Sequence, residues 1–149
     1  MRASVVIVSS LALALAACGG SQKDVAVRGD DSDLVKLAGE WEGEYQGLES
    51  GRAGKVRFSL QLGRHTAEGE VFMGAPDGKV PLKIQFVQVA GGELKGTIAP
   101  YTDPNCNCQV ETSFMGRLAN DTVSGRFETK IQDRTQTGSW RVTRKAAAN

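Results

Sequence analysis

From Gly39 onward, apolar and polar residues alternate with a period of two for most of the chain. Trp41, Gly43 and Tyr45 alternate with Glu40, Glu42 and Glu44, and Val56, Phe58, Leu60 and Leu62 alternate with Lys55, Arg57, Ser59 and Gln61. That period predicts half-buried strands, because successive side chains of a strand point to opposite faces. The same parity continues through Ala67, Gly69, Val71 and Met73, and then through Val80, Leu82, Ile84 and Phe86. Further strands follow at Leu94, Gly96 and Ile98; at Val110, Thr112, Phe114, Gly116 and Leu118; at Val123, Gly125, Phe127 and Thr129; and at Gly138, Trp140 and Val142. Turn chemistry separates them: Gly63-Arg64, Pro76-Asp77-Gly78, Gly91-Gly92, Asn120-Asp121 and a loop over residues 100–108. The phase slips at Phe86-Val87, so that Val87 and Val89 take the other parity, which predicts a β-bulge.

Eight strands joined mostly by short turns, with no helical stretch after residue 38, predict an all-β fold. Short sequential connections favour an antiparallel up-and-down barrel, whose closure removes exposed edges. A β-sandwich of the same strands is the alternative. Ahead of the strands, Leu34 to Ala38 reads as a short helical turn with Ser32 or Asp33 as its cap. Residues 18–33 are small and polar and read as a flexible tether with a reach of about 20 Å. The folded domain is then residues 34–145.

Glycine recurs inside the predicted strands at positions of inward parity: Gly43, Gly69, Gly96, Gly116, Gly125 and Gly138. A strand glycine weakens pairing unless it permits a bend or a close approach, and in a barrel it lets tilted strands coil. Seven of the nine aromatic residues share that parity, namely Trp41, Tyr45, Phe58, Phe86, Phe114, Phe127 and Trp140; Phe72 and Tyr101 do not. Either these rings fill the space beside the glycines and make a solid core, or together they line a cavity. An eight-stranded interior suits both outcomes. No charged residue has the inward parity in these strands, so a ligand there would be apolar or aromatic.

The first residues carry a different signal. Met1-Arg2 is followed by an apolar, small-residue run from Ala3 to Ala17, too short to span a bilayer and suited to a signal peptide. Leu15-Ala16-Ala17-Cys18, followed by Gly19-Gly20-Ser21, resembles the lipobox and tether of bacterial lipoproteins. The resemblance implies removal of residues 1–17 and acylation of Cys18, an anchor whose several chains would hold durably. Gly19 after the Cys implies, in a Gram-negative host, the outer membrane facing the periplasm. Removing residues 1–17 takes away only Arg2 among the charges, leaving 17 basic and 17 acidic residues. Membrane attachment would therefore rest on lipid and not on charge.

Leu37-Ala38-Gly39-Glu40-Trp41, placed after a helical turn and opening the first strand, resembles the Gly-x-Trp motif of lipocalins and related calycins. The resemblance implies a barrel whose floor is plugged by Trp41 and covered by an Arg of the last strand, Arg141 or Arg144. The chain departs from the family's Thr-Asp-Tyr loop setting: Thr102-Asp103 follows Tyr101 and precedes Pro104.

Composition removes several classes. The 149 residues are 40% hydrophobic and 23% charged with a net charge of +1, which suits a globular domain and gives no electrostatic footprint for nucleic acid. With Cys18 acylated, Cys106 and Cys108 remain, and an even remainder in an exported protein suggests a disulfide closing a very small loop. A redox switch or a thiolate site for Cu(I) or zinc is the alternative, but with the single His65 distant in sequence the ligands fall short of four. His65 sits beside a turn, the serines lie in no nucleophile elbow, and Glu40, Glu42, Glu44, Glu68 and Glu70 share outward faces. No catalytic residue, metal or cofactor is expected. The sequence thus predicts a lipid-anchored envelope protein acting by binding, as a carrier or sensor of a small apolar ligand, with the inward aromatic residues as its lining. The alternative is an envelope interaction, inhibitor or accessory protein with a solid core, contacting its partner through the loop from Tyr101 to Cys108.

Overall fold

The computed structural model describes residues 24–73 and 80–146. The signal segment, Cys18 and the Pro76-Asp77-Gly78 turn lie outside the described residues. Among these described residues, nine strands and one helix follow one another as β1 (Asp24–Arg28), α1 (Asp31–Leu37), β2 (Gly39–Gly47), β3 (Ala53–Leu60), β4 (Thr66–Met73), β5 (Val80–Ala90), β6 (Glu93–Asp103), β7 (Cys108–Ala119), β8 (Thr122–Ile131) and β9 (Arg134–Arg144). They form a closed barrel, so the all-β barrel expected from the alternation forms, and the sandwich does not.

Strands β2 to β9 pair antiparallel with their sequence neighbours, and β9 returns to β2 through the register Trp41↔Arg144 to Gly47↔Gly138. The ninth strand corrects the expected count of eight. Strands β4 and β5 pair only from Glu70↔Lys83 to Met73↔Val80 and then diverge. Strand β1 fills the split, antiparallel to β4 through Asp24↔Glu68 to Ala26↔Thr66 and parallel to β5 through Ala26↔Phe86 to Arg28↔Gln88. Val25 and Val27 are its inward residues, at 0% and 1% exposure. The expected tether over residues 18–33 is therefore wrong for its second half, where Asp24–Arg28 is barrel wall and Asp31 opens α1.

Helix α1 begins three residues earlier than expected and ends one earlier, and its cap position is Asp30, not Ser32 or Asp33. Asp33 instead accepts the Gly91 amide at 2.8 Å, tying the helix to the β5–β6 hairpin. That hairpin has positive φ at both Gly91 (58°) and Gly92 (78°), the backbone that a two-residue turn of matching twist requires. The expected bulge is present as a register shift between Ile84 and Phe86, at the point where β1 joins. A second shift, between Ile98 and Tyr101, is absent from the alternation. Leu62, expected inward, lies in the β3–β4 turn and is 69% exposed.

The floor of the barrel is a clamp. Trp41, 2% exposed, donates its indole N–H to the Leu37 carbonyl at 2.8 Å. Arg144 stacks over the Trp41 ring, 4.2 Å from its centroid. The same guanidinium donates to the Ala38 carbonyl, to the Lys36 carbonyl at 2.6 Å, and through Nε to Asp121 at 2.8 Å. These are carbonyls that the end of α1 leaves without helical partners, and a cation there also complements the helix dipole. Of the two candidates, it is Arg144 and not Arg141 that covers the Trp.

Candidate functional site

Interior space in this barrel is decided by which side chain lies beside each glycine. Cross-strand register places rings and glycines next to one another: Gly96↔Phe114, Phe114↔Phe127, Phe127↔Gly138, and then Gly125↔Trp140 and Tyr45↔Gly54 one row below. A Cβ on Gly138 would overlap the Phe127 ring, and one on Gly116 would overlap the Trp140 ring. One on Gly54 would overlap the Phe72 carbonyl oxygen of β4 and also lie 2.6 Å from Tyr45 Cε1, so this glycine makes room for both the adjacent strand and the ring. Gly43 and Gly125 act differently: a Cβ there meets backbone of the adjacent strand, the Arg141 and Met115 carbonyls respectively. Glycines thus both seat rings and let strands coil. The rings so seated pack edge to face, Tyr45 with Phe127 at 5.8 Å and Phe114 with Trp140 at 5.9 Å between centroids.

Among the described residues this filling leaves an apolar cavity of about 110 Å³ inside the barrel. Of the seven aromatic residues expected to line it, Trp41, Tyr45, Phe58, Phe114, Phe127 and Trp140 do so. The side chain of the seventh, Phe86, lies outside the described residues. Val71, Ile84, Ile98 and Val142 complete much of the wall. At the floor, Leu37 and Trp41 bound the cavity, while Ser50, Arg52, Tyr101, Thr129 and Gln136 bound it at the opposite mouth.

The mouth corrects the expectation that no charge faces inward. Arg52, just before β3, extends that strand's inward parity by one step beyond its predicted start. Tyr101 and Asp103 turn inward because the register shift after Ile98 reverses the parity of β6. Arg52 donates to Asp103, whose carboxylate is 1% exposed and also accepts the Asn105 amide at 2.8 Å. The guanidinium holds the Asp103 carboxyl below the usual carboxylate range, against burial, which acts the other way. Burial, with the Asp103 charge, raises the Tyr101 phenol, so it stays protonated and able to donate. Thr112 and Thr129 share a buried hydrogen bond of 2.9 Å beneath them. Tyr101, expected outside the barrel on a contact loop, is wall.

Because its folded pKa is depressed, Asp103 contributes stability that is complete at neutral pH. That contribution is lost as pH falls through the ordinary carboxylate range and below it. Melting temperature measured against pH should show this acid limb in the native chain. Asp103→Asn should flatten it, and an unchanged limb would contradict the assignment.

Cys106 and Cys108 are joined by a disulfide in the loop that follows Asp103. Among the described residues no group of three or more His, Cys, Asp or Glu gathers to hold a metal ion. His65 is exposed, and its carbonyl accepts the Val27 amide at 2.8 Å, so its backbone serves the β1 junction. The outward carboxylates form surface pairs, Glu42 with Lys145 at 2.7 Å and with Arg57 at 3.8 Å. What the interior offers chemically is an apolar well with a polar, internally paired mouth. Compared with known proteins, the chain matches no family model, no curated protein and no solved structure.

Proposed function

We propose that the protein is a lipid-anchored cell-envelope binding protein, acting without catalysis, whose barrel takes a small apolar molecule. The observation that carries the binding reading is the cavity of about 110 Å³ with an almost wholly apolar and aromatic wall. Pockets for drug-sized ligands run to about 300–1,000 Å³, whereas an apolar cavity of about 150 Å³ takes benzene. The ligand is therefore the size of one ring or a short chain. The floor clamp of Trp41 and Arg144 supports a calycin-like reading of the eight-strand meander, with β1 as this chain's own addition. The anchor rests on Leu15-Ala16-Ala17-Cys18 and on the signal-like run before it.

Two experiments test this. Metabolic labelling with a palmitate analogue should mark the native chain and not Cys18→Ala; label retained by the variant refutes the anchor. Calorimetric titration of the full chain in nanodiscs with benzene, corrected for empty nanodiscs, should saturate at one site. The cavity-filling substitution Ile98→Phe should weaken that binding at least about tenfold, since it removes the contacts a single-ring ligand depends on. Absence of saturation in the native chain overturns the binding reading.

A further inference from the structure

The wall of the well is apolar until its mouth, and the groups gathered there decide which polar atom a ligand can carry. Arg52 and Tyr101 border the cavity. Only one guanidinium nitrogen, Nη1, is engaged among the described residues, on Asp103 Oδ2. An arginine carries five N–H donors in a rigid plane, so donors remain. Asp103 accepts from Arg52 and from the Asn105 amide, and at 1% exposure it is not part of the cavity wall, so its remaining lone pairs do not face a ligand there. Tyr101 adds a phenol that is half-buried and protonated. Ser50, Tyr101, Thr129 and Gln136 can each give or accept a hydrogen bond, whereas Arg52 can only give one, so the charged group that borders the cavity is a donor.

Charge is not in surplus. The cation of Arg52 is already matched by an anion at 1% exposure. A ligand carboxylate entering the mouth would be a second anion beside Asp103, and Arg52, the cation that borders the cavity among the described residues, is already paired. A neutral acceptor meets the same donors without that repulsion. We infer that the ligand is a small neutral molecule, with an apolar body in the well and a ketone, ester or amide carbonyl oxygen hydrogen-bonded by Arg52 at the mouth. This rests on the binding reading above and narrows it to a chemical class.

Three single-ring probes of similar size separate the outcomes: ethylbenzene, acetophenone and benzoate, titrated into the full chain in nanodiscs. Acetophenone should bind at least about tenfold more tightly than ethylbenzene, the gain expected of a hydrogen bond from a charged donor. Benzoate should bind more weakly than either. Asp103→Asn leaves the guanidinium charge unmatched, so benzoate should gain at least about tenfold, the effect of removing a like charge from the site. The double variant Arg52→Met/Asp103→Leu removes both charges together and so leaves neither partner buried alone. It should keep ethylbenzene binding and lose the preference for acetophenone. Equal native affinity for acetophenone and ethylbenzene, or benzoate as the tightest native probe, overturns the inference while leaving the apolar well standing. Failure of all three, ethylbenzene included, overturns the well itself.

Discussion

Trp41→Ala lowers the unfolding free energy by about 3–5 kcal/mol, the range for removing a large buried aromatic side chain. Three losses coincide at this position. The ring is 2% exposed at the junction of α1, β2 and β9, so its removal leaves a cavity that the surrounding backbone cannot close. Its N–H no longer satisfies the Leu37 carbonyl, now held at 2.8 Å. Arg144 loses the face it covers at 4.2 Å, and with it part of what orients its donors toward the Lys36 and Ala38 carbonyls. Urea denaturation followed by far-ultraviolet circular dichroism measures the effect. Arg144→Met should cost less, because a methionine stem still covers the ring while the carbonyls lose their cation. A Trp41→Ala midpoint equal to the native one would contradict the clamp.

The second large effect is at Gly125. Gly125→Ala destabilises by at least about 3 kcal/mol, at or beyond the upper end of ordinary overpacking. The added methyl would overlap the Met115 carbonyl oxygen and lie 2.5 Å from Gly116 Cα, so only a shift of the β7 backbone can admit it. Gly69→Ala is the control. There the nearest atom is Ile84 Cδ1 at 3.0 Å, the end of a flexible side chain, and the cost should stay below about 1.5 kcal/mol. Equal costs at the two sites in parallel urea titrations would remove the distinction between glycines that let strands coil and glycines beside yielding side chains.

The meander from β2 to β9 is legible in the sequence because each of its strands buries one face, and period-two alternation is the direct record of that. The bulge near Phe86 is legible for the same reason, as a change of phase between Ile84 and Val87. Strand β1 is not. Its signal is two valines in five residues, and its partner on one side is β5, reached in parallel with no turn between them to mark the pairing. The mouth is hidden by a different mechanism. Alternation identifies a face only while register is unbroken, and the shift after Ile98 moves Tyr101 and Asp103 to the inner face without any apolar run to announce it. Arg52 escapes because a charged residue at a strand start reads as turn. The aromatic lining is legible as parity, but whether rings fill the space beside glycines depends on register between strands, such as Phe127↔Gly138, which no single strand encodes.

A ligand-sized apolar space persists among Trp41, Phe58, Phe114 and Trp140 after the rings have filled the glycine positions. Xenon enters apolar cavities of this kind and reports them without any chemical preference. A crystal of the protein pressurised with xenon should show an ordered xenon atom inside the barrel, in contact with the Phe58 and Phe114 rings. Xenon bound only on the outer surface, with none inside the barrel, would show that the rings leave no such space.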